Sequence, residues 1–226
     1  MPPRSLCAQC LRPPRACWCG CVQPIQSQVQ VLVLQHPMEV GHAKNTARAL
    51  HLCVQGSQLK VGEVFEPEDL HHWLHAPWTV DDASEPIRTV LLYPSTPYDP
   101  QLPVLPAPVM PSQWLVQPKG LRLVVIDGTW RKSRKMLYLN PALQKLPRFA
   151  LNDVPQGRYA IRKAHAPGQL SSFEAAALAL AQLQGWGDEH EAWQHLMHSF
   201  DAVIAQHQQL QAQGDLPHPS QERRGA

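Results

Sequence analysis

A chain of 226 residues that is 44% hydrophobic and carries 7 tryptophans can bury one sizeable core, which excludes a disordered chain. No apolar run approaches the roughly 18 residues of a membrane span, which excludes an integral membrane protein with spanning helices. Net charge is only +2, but between Lys119 and Lys163 there are 11 Lys and Arg against 2 acids, a local +9, while the rest has 9 bases against 16 acids, or −7. A basic field of that size attracts phosphate backbones, the alternative being a solvated basic face. The N-terminal stretch MPPRSLCAQCLRPPRACWCGC has neither an apolar h-region nor a small-residue cleavage site. It does not read as a secretory signal, and the chain is expected in the cytoplasm.

Five of the six cysteines lie between residues 7 and 21. Residues 28–34 (QVQVLVL) alternate and then fill with β-branched residues, as a strand does. Residues 45–54 read as an amphipathic helix with Asn45 or Thr46 as its cap, Cys53 on its apolar side and Gly56 beyond its end. A second strand, residues 88–93 (RTVLLY), stops at Pro94, and residues 94–118 hold 8 prolines in 25, which precludes a helix or central strand and predicts a meandering surface connection. Residues 121–126 (LRLVVI) form a buried strand running straight into Asp127, Gly128 and Thr129, with a basic helix from Trp130 to about Leu139. A short strand at 148–151, a polar loop or strand at 158–163, an Ala/Leu helix at 171–183 broken by Gly185 and Gly187, and a last amphipathic helix at 188–212 complete the pattern. The expected organisation is a cysteine-rich module at 1–25, an α/β domain at 26–213 and a polar, disordered tail at 214–226.

Several common sites are excluded. The only G-x-G pair, Gly185 and Gly187, sits between two helices, so ordinary dinucleotide and P-loop binding are disfavoured. His190 and Glu191 begin like a zinc protease helix, but the next histidine is His195, one position too far to share the face. No GxSxG is present. Most of the 12 histidines, including His71, His72 and His75, read as surface or packing residues.

Two constellations remain. Cys7-x2-Cys10-x6-Cys17-x-Cys19, in a chain without a secretory signal, fits metal ligation better than disulfides, and four thiolates make a closed structural zinc site. Cys21 is a rival fourth ligand. The second is Asp127-Gly128-Thr129-Trp130 followed by Arg131, Lys132, Arg134 and Lys135. A carboxylate at the carboxyl end of a buried strand, beside a glycine turn and a helix N-terminus, stands where open α/β sheets bind ligands, and the four cations suit a phosphate track.

With these motifs the chain resembles the DTW-domain family, the tRNA-uridine aminocarboxypropyltransferases. The matching stretches are the cysteine motif with Arg12 and Pro13 inside it, QHPMEVGHAKNTARAL at 35–50, LLYPS at 91–95, IDGTWRKSRKM at 126–136, LPRFAL at 146–151, RYAIRK at 158–163 and SSFEAAALAL at 171–180. Gly157 stands where the family usually has a serine before the Arg-Tyr pair. The family is similar to SPOUT-type RNA-modifying enzymes, so the resemblance implies a parallel sheet with a C-terminal knotted cofactor site. It also implies that S-adenosylmethionine donates its 3-amino-3-carboxypropyl group to N3 of a tRNA uridine, giving acp3U and 5′-methylthioadenosine.

On that reading Asp127, Thr129 and Trp130 are the catalytic candidates, with Asp127 either removing the N3 proton or holding the donor's α-amino group. Leu92, Tyr93, Pro94, Ser95, Asp127, Gly128, Ile161, Ser171, Ser172 and Glu174 are expected to contact S-adenosylmethionine. For Ser171 and Ser172 the competing role is helix capping. Asn45, Thr46, Arg48, Arg131, Lys132, Arg134, Lys135, Arg158, Arg162 and Lys163 are expected to meet tRNA. Zn2+ is expected at Cys7, Cys10, Cys17 and Cys19.

Overall fold

A computed structural model describes residues 5–42, 44–80, 82, 86–95, 98–152 and 170–213. Among them, the runs of Val, Leu and Ile form a five-stranded sheet in the order β2-β1-β4-β3-β5, every neighbouring pair parallel. The strands are β1 (Gln30–Gln35), β2 (Gln58–Val61), β3 (Arg88–Leu92), β4 (Leu121–Asp127) and β5 (Arg148–Phe149). All seven residues of β4 are buried, as a central parallel strand covered on both faces requires. Among the described residues six α-helices accompany them: α1 (Ala47–Cys53), α2 (Pro67–His75), α3 (Trp130–Leu139), α4 (Pro141–Gln144), α5 (Ser172–Gln184) and α6 (Glu191–Ala212).

Alternation along the strands divides the core in two. Val31, Val33, Val90, Leu123 and Val125 pack with Leu50 of α1, Phe173 and Leu180 of α5 and Phe200 of α6. Leu32, Leu34, Leu91, Val124 and Ile126 pack on the other face with Leu70 and Leu74 of α2, Met136 and Leu137 of α3, and Leu143 of α4. The helix–sheet–helix layering follows from that period of two. Cys53, as expected, is fully buried, and burial pushes its thiol up to about 11.

Strand β2 and helix α2 lie between α1 and β3, a stretch to which the sequence pattern assigned no element. Strand β2 is an edge strand with no fully buried residue, and α2 rests on only two buried anchors, Leu70 and Leu74, so neither has a strong apolar period. In the proline-rich connection the only described element is a single 3-10 turn, Ser112–Leu115. The sequence-predicted element at 158–163 and the tail at 214–226 lie outside the described residues. Among the described residues no helix is long and apolar enough to cross a membrane.

The cysteine-rich segment shares the main core. Cys10, Trp18 and Ile25 belong to the cluster formed with α1, α5 and α6, Gln206 of α6 donates to Cys17 O at 2.9 Å, and Ser199 accepts from Gln23 N at 2.8 Å. Ile25 also forms a parallel bridge with Val54. Trp18 lies beneath Arg12, whose guanidinium is 6.0 Å from the ring centroid and donates to His42 O at 2.9 Å.

From β1 the chain moves outward to β2, whereas after β4 it passes through α3 and α4 to β5 at the opposite edge. The adjacent strands β1 and β4 therefore send their connections in opposite directions, which opens a crevice at their carboxyl ends. The last registered pair at that crevice is Gln35 opposite Asp127.

Candidate active site and metal centre

Asp127 is buried, 4% exposed, and its carboxylate is held by three side chains, from β1, the connection before α1 and the first turn of α5. Oδ2 accepts from Asn45 Nδ2 at 2.5 Å and from Gln35 Nε2 at 3.0 Å, and Oδ1 accepts from Ser172 Oγ at 2.7 Å. Asn45 Oδ1 accepts in turn from Gln35 Nε2 and from Ala47 N, both at 3.1 Å, which ties the first turn of α1 to the same network. The result is a fixed negative charge at the sheet's switch point. Gly128 follows it in a close turn: an added Cβ would lie 3.2 Å from Lys132 Cβ, 3.5 Å from Ser133 N and 3.6 Å from His36 Cβ.

Ion pairs join the segment after β1 to α3, with His36 N donating to the Asp127 backbone carbonyl at 2.9 Å. His36 takes a hydrogen bond from Met38 N on Nδ1 at 3.1 Å, so in the neutral ring Nε2 carries the proton and donates to Glu63 Oε1 at 3.0 Å. Glu63 also receives Lys135 Nζ at 2.9 Å, and Lys135, followed by His36, holds its carboxyl below the usual value. Buried Glu39 pairs with Lys132 Nζ at 2.9 Å.

On the other side, Thr129 caps α3 by accepting from Lys132 N, and Trp130, 53% exposed, stacks on Tyr93 with centroids 5.2 Å apart and planes 10° from parallel. Ser133 Oγ donates to Trp130 O at 3.0 Å, so the Tyr93 hydroxyl donates to Ser133 Oγ at 3.2 Å. Burial raises the Tyr93 phenol. Arg148 lies over the Tyr93 ring at 5.4 Å and donates to Pro94 O at 3.2 Å.

The structure redistributes the sequence-predicted site residues. Asn45, expected at tRNA, is buried and faces Asp127, and Thr46 is buried beside it. Arg48 is partly buried, with its guanidinium on Gln9 O at 3.4 Å, so it ties α1 to the cysteine segment. Of the four α3 cations, Lys132 and Lys135 are paired with acids, and Arg134 is buried, with Nη2 on Leu102 O at 3.3 Å and Nε 3.5 Å from Asp99. Arg131 is exposed. Arg122, counted in the basic segment, is fully buried, donates to Gln30 Oε1, Trp73 O and Ala76 O, and stacks 3.9 Å from the Trp78 centroid. The local charge exposed to solvent is thus smaller than the linear count.

Ser171 and Glu174 form a reciprocal capping box at the start of α5, Glu174 N donating to Ser171 Oγ at 3.2 Å and Ser171 N to Glu174 Oε2 at 2.9 Å. Of that group Ser172 reaches Asp127. Leu92 ends β3 and Tyr93 follows it, stacked on Trp130, with Pro94 and Ser95 exposed beyond them. Ile161, Arg158, Arg162 and Lys163 lie outside the described residues. Sequence reasoning missed Gln35, His36, Glu39 and Glu63 as neighbours of the site; the available signal was an amide residue ending the strand next to the one that ends in Asp127.

The cysteine motif forms a second centre. The sulfurs of Cys7, Cys10, Cys17 and Cys19 all lie within 4.8 Å of one another, with Cys7 and Cys19 at 3.7 Å and Cys10 and Cys17 at 3.6 Å. Four thiolates about 2.3 Å from a tetrahedral zinc stand roughly 3.8 Å apart, so the donor set fits that ion. Backbone N–H groups of Cys10 and Gln9 lower the Cys7 thiol to about 6, while burial and the neighbouring thiols raise Cys19. Cys21 falls outside the group; its sulfur meets Gln206 Oε1 at 3.8 Å.

Fold and site together define a parallel α/β protein with a buried, triply hydrogen-bonded carboxylate at its switch point and a four-cysteine cluster capable of holding a metal. The chain belongs to the DTW domain family, whose model matches residues 4–208. It is similar to tRNA-uridine aminocarboxypropyltransferase 2 of Drosophila melanogaster, 32% identical over 190 residues that make up 80% of this chain and 67% of that protein. The enzyme of the same name from Mus musculus is 27% identical over 187 residues, 80% of this chain and 57% of its own length. The tRNA-uridine aminocarboxypropyltransferase A of Arabidopsis thaliana is 24% identical over 206 residues, 83% of this chain and 76% of that protein. The chain thus spans about two thirds of the fly protein and a little over half of the mouse one. No solved structure matches it at a significant level.

Proposed function

We propose that this chain moves the 3-amino-3-carboxypropyl group of S-adenosylmethionine to N3 of a uridine in tRNA. In that reaction a bond forms between N3 and the γ-carbon of the methionyl chain, the bond from that carbon to sulfur breaks, and its electron pair neutralises the sulfonium as 5′-methylthioadenosine leaves. The N3 proton departs to a base. The sulfonium has three carbons open to attack, so the choice among them depends on how the donor is held. The observation that carries the reading is Asp127, a buried carboxylate fixed by Asn45, Gln35 and Ser172 at the crevice where parallel sheets bind ligands. The activities named for the relatives support it.

Tyr93, Pro94, Ser95 and Ser172 contribute to the donor pocket, and the SPOUT-like knot belongs to the same proposal. Trp130, exposed and braced by Tyr93, offers a stacking face for a nucleobase. Arg131, with Arg158, Arg162 and Lys163, meets tRNA phosphates. Zinc held by Cys7, Cys10, Cys17 and Cys19 acts structurally, fastening a segment with few apolar residues to α1 and α6. The enzyme works in the cytoplasm on tRNA.

Incubation of the chain with S-adenosylmethionine and unmodified tRNA tests the reading through its nucleoside product. Release of 5′-methylthioadenosine with acp3U in the tRNA is expected. S-adenosylhomocysteine would assign methyl transfer instead, and no nucleoside product would reduce the protein to an RNA-binding module.

A further inference from the structure

Gln35 ends β1 and is 1% exposed, yet among the described residues its buried Oε1 has no hydrogen-bond partner. The amide cannot simply be turned over. Its Nε2 donates both to Asp127 Oδ2 at 3.0 Å and to Asn45 Oδ1 at 3.1 Å, and a flip would set a carbonyl oxygen against a carboxylate. Asn45 is locked in the same sense, because its Oδ1 accepts from Ala47 N and its Nδ2 donates to Asp127. The unpaired acceptor is therefore a property of the network. Buried carbonyls in folded proteins nearly always find a donor, so this one points to a donor beyond the described residues, a role a bound ligand can fill.

The missing donor must satisfy a neutral carbonyl whose own amide nitrogen is hydrogen-bonded to a carboxylate. Asp127 already accepts three hydrogen bonds, leaving about one of its roughly four lone-pair positions, so it presents charge more than a free basic site. The N3 edge of uracil has one donor flanked by two carbonyl oxygens, which would face Gln35 Oε1 as like against like. A protonated primary amine carries three N–H donors and a positive charge, and it meets both acceptors at once.

We infer that Gln35 Oε1 and Asp127 together form a binding site for a protonated primary amine, the α-ammonium of the donor's aminocarboxypropyl group. The inference rests on the proposed function and deepens it: Asp127 anchors the donor, Gln35 is a further ligand-contacting residue, and the N3 proton leaves to solvent.

The test is a calorimetric titration of the full chain and of Gln35→Met with S-adenosylmethionine, its decarboxylated form and its desamino form. The wild type should bind the two ammonium ligands at least about tenfold more tightly than the desamino form, as a charge-assisted hydrogen bond allows. Gln35→Met should weaken both ammonium ligands by about 10- to 100-fold and leave the desamino form unchanged, so the losses from side chain and from ligand do not add. Equal weakening of all three ligands, the result of a merely structural Gln35, would overturn the inference, as would a wild type indifferent to the amine. A wild type that binds none of the three overturns the donor reading itself, whereas tight binding with no amine preference overturns only the amine site.

Discussion

Replacing Asp127 by Asn removes one negative charge while keeping the side chain's shape. The amide oxygen can still accept from Asn45 and Gln35, and its N–H group can donate to Ser172 Oγ, which accepts as readily as it donates. Three charge-assisted bonds become neutral ones, a difference of about 1 kcal/mol each, so the fold should survive with a loss of at most about 3 kcal/mol. On the proposed anchoring role, donor binding should lose an ionic contact with the ammonium, worth about 1.5 to 3 kcal/mol, or roughly 10- to 150-fold in affinity. Calorimetry for donor affinity and single-turnover release of 5′-methylthioadenosine, on the same preparation, read the two effects separately. Affinity and transfer should fall together while tRNA affinity stays within about twofold. Unchanged donor affinity with transfer slowed by about 10² to 10⁴ would refute the anchoring role and make Asp127 the proton acceptor. Near wild-type transfer would refute both.

Elemental analysis of the purified chain should find about one zinc per molecule; Cys10→Ser should lose it with a lower unfolding midpoint, while Cys21→Ser, outside the sulfur cluster, should retain it. Arg122→Met should lower stability by about 1 to 3 kcal/mol in a denaturant titration, because half-buried acceptors on Gln30 and Ala76 lose their donor, yet leave tRNA affinity and its salt slope unaltered. Arg131→Ala should do the reverse, reducing the salt slope of tRNA binding by about one with no change in stability. Stability should decline as pH falls below about 6.5, because burial lowers the folded-state values of His51 and His75 and the unfolded chain takes up protons first. A further decline below about 4.5 should follow Glu63, whose carboxyl Lys135 and His36 hold ionised in the folded state. Thermal unfolding scans at stepped pH check both, and a stability that rises on acidification would contradict them.

Much of this was legible in one dimension because it depends on neighbours in sequence. Strands β1, β3 and β4 announce themselves as runs of Val, Leu and Ile, the turn after β4 by Asp127-Gly128-Thr129, and the cysteine cluster by spacing that leaves four sulfurs within reach of one ion. Helix capping was the competing role for Ser171, and the structure pairs it in a capping box with Glu174, which the sequence reading had set at the donor. Strand β2 and helix α2 escaped because an edge strand and a surface helix bury too few residues to impose a period. What each charged side chain does depended on contacts far apart in the chain. Lys132 meets Glu39, Lys135 meets Glu63, and Arg122 turns inward to Gln30 and Trp78, none of which a local count of +9 can register. The partnership of Gln35 with Asp127 spans 92 residues and exists only because β1 and β4 lie side by side with their last residues in register. Strand order is set by how the layers pack, and it is that order which turned an unremarkable glutamine into part of the site.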